Sequence, residues 1–155
     1  MTDAAKSSFV YVTYIRTTPE ELWSALTTSE FMKKYWFGMN IETDWKPGSS
    51  WKLVFPDGRI ADTGKVVEIE KPKRLVLRWR NHFRPELHEE GEARCVIEVE
   101  PAGEVVKLTI IHEIDKPGSK LIGAVSIGWP KILSSLKTLL ETGSALPAIG
   151  EPPHN

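Results

Sequence analysis

The stretch Ser119–Glu141, SKLIGAVSIGWPKILSSLKTLLE, decides the fold. It is the only long segment with a helical period. Ile122, Val125, Trp129, Ile132, Leu133, Leu136, Leu139 and Leu140 recur in steps of three and four, and Lys120, Lys131, Ser134, Lys137 and Glu141 fall mostly off that stripe. A lone helix with one apolar stripe must lie on something apolar, and a sheet is the only partner available. Gly123, Ala124, Ser126 and Gly128 thin the first half of the stripe. Small side chains there either allow close packing or leave a hollow. Pro130 has no N–H for the carbonyl of residue 126, and its ring crowds that carbonyl. A kink, or a break and restart, is therefore expected between Ser126 and Pro130.

Upstream, the pattern is mostly that of strands. Phe9–Ile15 is aromatic and β-branched. In TTPEELWSAL, Thr18 can cap a helix, Pro19 suits its first position and Glu21 completes a capping box, while Leu22, Trp23, Ala25 and Leu26 supply the buried face. A second short helix carries Phe31, Met32, Tyr35 and Trp36 and ends at Gly38. The period then becomes two. Ile41, Thr43 and Trp45 alternate, as do Trp51, Leu53 and Phe55 after Pro47-Gly48. Pro56-Asp57-Gly58 turns into a long strand over 60–70, and Lys71-Pro72-Lys73 turns back into Leu75, Leu77 and Trp79. A polar loop, HFRPELHEEG, precedes strands over 92–100 and 105–112.

The order is thus one strand, two short helices, six strands and one long helix. Strands segregated from helices indicate α+β, with a curved antiparallel sheet wrapped around the C-terminal helix. One domain is expected over 9–142, between a flexible N-terminus (1–8) and a flexible C-terminal tail (143–155).

The 155 residues carry 20 basic and 21 acidic side chains, mixed along the chain for a net charge of −1. That balance gives no long-range field for nucleic acid or an anionic membrane. No apolar run reaches the roughly 20 residues of a membrane span, and MTDAAKSS lacks a signal-peptide core. No nucleic-acid partner, no membrane and a cytoplasmic location are expected. The single Cys95 excludes an internal disulfide and reads as a small buried side chain in its strand. Phosphate loops, nucleophile elbows and metal-ligand spacings are all missing, so no cofactor, no metal and no catalytic residue are expected. His82 and His88 share a loop with Glu86, Glu89 and Glu90, which reads as a solvated face.

Six tryptophans are many for this length. They can fill a core, or they can wall a pocket for an apolar or aromatic ligand. Trp23 reads as core. Trp51, Phe55, Trp79 and Trp129 can face one interior, and Trp36 leaves its helix where an opening could lie. His112 falls on the inward phase of VKLTIIH, at a strand end near a cavity mouth. The candidate ligand-binding residues are Trp36, Trp51, Phe55, Trp79, His112, Val125 and Trp129.

Four blocks carry a resemblance: TPEELWSALTTSEFMKKYWFG, PGSSW, DGRIADTGKVVEIEKPKRLVLRW and GWPKILSSLKTLLE. Together they resemble START-like, helix-grip proteins of the activator of heat-shock protein 90 ATPase type (the C-terminal-domain family of the SRPBCC superfamily), over about Phe9 to Glu141. The resemblance implies a Bet v-like fold, with a six- or seven-stranded antiparallel sheet gripping the C-terminal helix around a hydrophobic cavity. It implies less about activity, because the superfamily spans lipid and polyketide binders, cyclases, resistance proteins and chaperone regulators. Two departures stand out. Pro130 interrupts a helix that normally continues, and the separate N-terminal domain of the eukaryotic chaperone activator is not in this sequence.

The expected function is binding of a small apolar or aromatic molecule between sheet and helix. One alternative is a chaperone-modulating interaction domain, which would have a closed cavity and an exposed apolar patch. The other is a cyclase- or hydrolase-like enzyme, for which His112 and Asp62 are the only candidates. The sequence leaves homodimerisation open.

Overall fold

The computed structural model describes residues 6–147. Chain order is β1 (Ser7–Ile15), α1 (Pro19–Thr27), α2 (Ser29–Tyr35), β2 (Asn40–Glu42), β3 (Ser50–Val54), β4 (Ile60–Glu70), β5 (Arg74–Asn81), α3 (Pro85–His88), β6 (Ala93–Ala102), β7 (Val105–Ile114) and α4 (Lys120–Thr142). The strands form one seven-stranded antiparallel sheet in the order β1-β7-β6-β5-β4-β3-β2. This is the expected α+β helix-grip arrangement. Of the expected flexible ends, residues 1–5 and 148–155 lie outside the described residues, while Ser7 and Ser8 already belong to β1.

Alternation along the strands sets the inner face. Leu75, Leu77 and Trp79 of β5 point the same way as Cys95, Ile97 and Val99 of β6 and Leu108, Ile110 and His112 of β7, and all nine are buried. Helix α4 covers that face with Leu121, Ile122, Trp129, Ile132, Leu133, Leu136 and Leu139. Trp129 and Leu136 are 4% and 0% exposed, as the stripe predicts.

Both ends of α4 are tied down. At its start, the Glu90 carboxylate accepts from the Ser119 hydroxyl (2.5 Å) and from the N–H groups of Lys120 (2.8 Å) and Leu121 (3.2 Å). Ser119 Oγ accepts in turn from Ile122 N–H (3.1 Å). These donors lack partners within any helix, and a carboxylate there also meets the positive end of the helix dipole. Burial alone would raise the Glu90 pKa, but the Ser119, Lys120 and Leu121 hydrogen bonds outweigh it and hold the carboxyl below its usual range. At the far end, Gly143 takes φ +90° and returns its N–H to Leu139 O (2.8 Å). Glu141 there accepts the Arg16 N–H (2.8 Å), and Lys137 donates to Tyr14 O (2.6 Å), fixing the helix to edge strand β1.

Three expectations need correction. Helix α4 runs without interruption through Pro130, so there is no break and restart. The turn that loses a hydrogen bond carries Ile127 at 64% exposure and half-buried Ser126, so it lies where water can reach. Strand β2 ends at Glu42 instead of extending to Trp45, whose φ of +55° is not that of a strand. The polar loop holds a helix, α3, with Pro85 in its first turn and Leu87 buried. Glu90 of that loop is a helix cap rather than part of a solvated face.

Two substitutions test this frame by urea denaturation. Leu136→Ala is expected to cost about 2–5 kcal/mol, the range for a cavity in a packed core. Glu90→Ala is expected to cost roughly 1–3 kcal/mol, because three donors at the start of α4 lose a charged acceptor. A midpoint unmoved by Leu136→Ala contradicts the grip of sheet on helix.

Candidate ligand-binding cleft

The interior is largely filled by aromatic rings. Trp129 lies 5.7 Å from Trp36 and 5.9 Å from Trp79, and Trp79 lies 4.7 Å from Trp51, all between ring centroids. Between helix and sheet, among the described residues, a space of about 10 Å³ remains beside Trp129 and Leu133, and a larger one opens at the first half of α4. There a cleft of about 80 Å³ opens to solvent. Leu121, Ala124, Val125 and Gly128 of α4 form one wall, and Leu53, Ala61, Asp62 and Trp79 of the sheet face them. Trp36 and Met39, just past α2, close one side, and Phe83, Arg84 and Leu87 around α3 close the other.

A register shift shapes the floor. The β3–β4 pairing moves by one residue between Leu53 and Val54, so Leu53 pairs with Asp62 while Val54 pairs with Ile60. The consecutive residues Ala61 and Asp62 are both buried and both line the cleft, which simple alternation would not allow. Trp51 needs a bare backbone beneath it. A Cβ at Gly64 would lie 2.7 Å from the Trp51 ring and 1.8 Å from Arg78 O. The Trp51 indole N–H donates to that same carbonyl at 3.1 Å.

The seven sequence candidates divide into two groups. Trp36, Trp79, Val125 and Trp129 line the cleft. Trp51, Phe55 and His112 are not among its lining residues. Trp51 stands behind Trp79, and Phe55 stands behind Phe83 at 5.2 Å between centroids. His112 does not lie at a mouth. It is 0% exposed on β7, opposite Cys95 and Phe9, and its Nδ1 accepts from the Trp129 indole N–H at 3.1 Å. Burial pushes its pKa down to about 3, so it stays neutral and is cut off from the cleft as an acid or base.

Sequence reasoning missed the α3 side of the cleft. Its signal was a proline at a first-turn position, with Phe83 and Leu87 four residues apart around it. It also gave too little weight to Asp62, whose position in β4 puts a carboxyl on the inward side. Asp62 is 7% exposed, and its Oδ1 is buried with no hydrogen-bond partner. Burial raises its pKa to about 7, against the lowering effect of hydrogen bonds from the Trp79 and Asn81 side chains. Among the described residues there is no cluster of three or more His, Cys, Asp or Glu able to hold a metal, and no helix long and apolar enough to cross a membrane.

A sequence model of the family described as activator of Hsp90 ATPase homolog 1-like protein matches residues 16–141. Comparison with curated protein sequences finds no match. Among solved structures, a Mesorhizobium loti protein superposes with a TM-score of 0.75 at 20% identity, over 87% of this chain and 97% of its own. The Aha1 dimer from Colwellia psychrerythraea gives 0.72 at 20% identity, over 88% and 98%. An HSP90 activator from Plasmodium falciparum gives 0.71 at 22% identity, over 86% and 96%. At these identities the likeness is one of fold.

The two buried titrating groups oppose each other. Folded Asp62 keeps its proton up to about pH 7, whereas the unfolded side chain loses it near 3.8, so its contribution to stability falls as pH rises through that window. Folded His112 stays neutral down to about pH 3, whereas the unfolded ring gains a proton near 6.5, so its contribution falls as pH drops through that window. Asp62→Asn removes the first effect and leaves the second. Its stability should climb more steeply than the parent's between pH 4 and 6.5, and exceed the parent's at pH 8. Urea midpoints across this range check it, and parallel profiles for the two proteins would sink the assignment.

Proposed function

The chain belongs to the activator of Hsp90 ATPase homolog 1-like family, and we propose that it is a binding domain whose cleft takes a small apolar or aromatic molecule. The cleft itself carries this reading. Three tryptophans, Trp36, Trp79 and Trp129, and the apolar start of α4 surround a solvent-connected space with one buried carboxyl in its wall. That is the composition of a ligand site, with apolar walls and few polar groups. Its volume of about 80 Å³ suits one small ring or alkyl group, whereas drug-sized ligands occupy roughly 300–1,000 Å³. A larger ligand would bind by its tip, with the rest outside between α2 and α3.

A second reading, chaperone modulation through a protein interface, rests on the outer face of β1. Val10, Val12 and Tyr14 are 57%, 43% and 50% exposed on an edge strand. The family takes its description from an activator of Hsp90 ATPase, and one solved relative is described as an HSP90 activator. The mostly filled interior also agrees with this reading. A second copy of the chain could cover the same strand, and one solved relative is a dimer.

Benzyl alcohol, small enough for the cleft, is the first probe. Its addition should shift tryptophan emission saturably, because Trp36, Trp79 and Trp129 wall the site. Ala124→Phe should fill the cleft and weaken binding at least tenfold while leaving the melting temperature within a few degrees. No saturable shift, together with heat-shock protein 90 ATPase stimulation that Val12→Lys abolishes, moves the function to the outer face. Sedimentation of the parent and Val12→Lys reports whether two copies pair through β1.

A further inference from the structure

The cleft has one polar feature that the fold does not use. Among the described residues four buried side-chain polar atoms lack a hydrogen-bond partner: Thr17 Oγ1, Asp62 Oδ1, His112 Nε2 and Ser135 Oγ. Only Asp62 lines the cleft. An unpartnered buried carboxylate oxygen is expensive, so either the group is a liability or it meets something that comes and goes.

Its neighbours define what it can meet. Asn81 uses Oδ1 to accept the Arg84 N–H at 2.9 Å, which leaves its amide NH₂ as the group that faces Asp62. The Trp79 indole offers only a donor. The Trp79 and Asn81 side chains thus offer donors to the Asp62 carboxyl, which lines the cleft with its Oδ1 buried and unpartnered. The complementary group is a donor. Charge points the same way. Among the described residues Asp62 and Arg84 are the only charged ones lining the cleft, and the Arg84 guanidinium bonds Glu86 through contacts of 2.8 and 3.1 Å. Among the described residues Asp62 forms no ion pair, and the cation nearest in the cleft lining, Arg84, is paired with Glu86.

We propose that the cleft selects a small apolar or aromatic amine, with the ammonium hydrogen-bonded to the Asp62 carboxylate and the hydrocarbon packed against Trp36, Val125 and Trp129. This rests on the small-molecule reading above and narrows it to a ligand class. An ammonium supplies both the missing donor and the missing charge. It also draws the carboxyl into its ionised form, relieving the effect of burial. A neutral alcohol supplies the donor alone, and a carboxylic acid adds a like charge. The aromatic faces of Trp36 and Trp129 suit a cation's hydrocarbon flank as well as an uncharged ring.

The test uses three probes of one shape, benzylamine, benzyl alcohol and benzoate, titrated into the whole chain at pH 8 with tryptophan emission or ¹⁵N chemical shifts as readout. The expected order is benzylamine at least tenfold tighter than benzyl alcohol, with benzoate weakest. Asp62→Asn should lower benzylamine affinity at least tenfold and leave benzyl alcohol within threefold. The order among probes needs no variant, so it stands even if Asp62→Asn folds poorly. Benzyl alcohol binding as tightly as benzylamine in the parent overturns the amine preference and leaves the small-molecule reading intact. Benzylamine affinity unchanged in a folded Asp62→Asn protein overturns the role of Asp62. Failure of all three probes overturns this inference together with the reading it rests on.

Discussion

The indole of Trp129 holds the molecule together. It projects from α4 at the point where the helix crosses the sheet, with Trp36 on one side and Trp79 on the other. Its N–H is buried and needs an acceptor, since an unpaired donor in an apolar interior costs about 1–3 kcal/mol. His112 Nδ1 provides that acceptor from β7. One side chain thus joins the helix, the sheet and α2 by packing, and fixes their relative rotation with one directed bond. It also fixes the tautomer of His112. With Nδ1 accepting, the neutral ring carries its proton on Nε2, which has no partner. The histidine expected as a ligand contact thus uses Nδ1 to hold the helix.

Filling the grip with rings determines where a ligand can go. A wider cavity in the middle of the sheet would need Trp51, Trp79 or Trp129 to leave, and each is at most 4% exposed. The open space is displaced to the first half of α4, where Ala124 and Gly128 give the helix too little side chain to fill the gap. Glu90 keeps that end of the helix in place from the loop that also carries Phe83 and Leu87. The cleft is therefore framed by α4 on one side, strands β3, β4 and β5 on the other, and the segments after α2 and around α3 at its sides.

Much of this was legible in sequence because it is periodic. The stripe from Ile122 to Leu140 and the alternation of Leu75, Leu77 and Trp79 each repeat one physical requirement, so helix, strands and the facing sides followed directly. Thr18 accepting the Glu21 N–H at 3.1 Å is a local rule of the same kind. What was not legible depends on contacts distant in sequence or on breaks in a period. Glu90 meets α4 about thirty residues away, a relation no spacing encodes. Phe55 and Trp51 sit on the correct face yet behind other rings, because alternation gives the side of a sheet and not the depth of a layer. The shift at Leu53 and Val54 breaks alternation itself, which puts Ala61 and Asp62 side by side in the cleft wall.

That break separates two buried polar groups that otherwise look alike. Asp62 and His112 both titrate far from their ordinary values, both lie within the reach of Trp79, and both leave one atom without a partner. Rings enclose His112, so nothing can reach Nε2 without opening the core. Asp62 sits at the edge of the ring stack, where the shifted register turns it toward solvent-connected space. A sequence that satisfied every local rule would place an apolar residue at position 62, opposite Leu53 and against Trp79. A carboxyl stands there instead, at a cost to stability that grows as it ionises, as the proposed amine site requires.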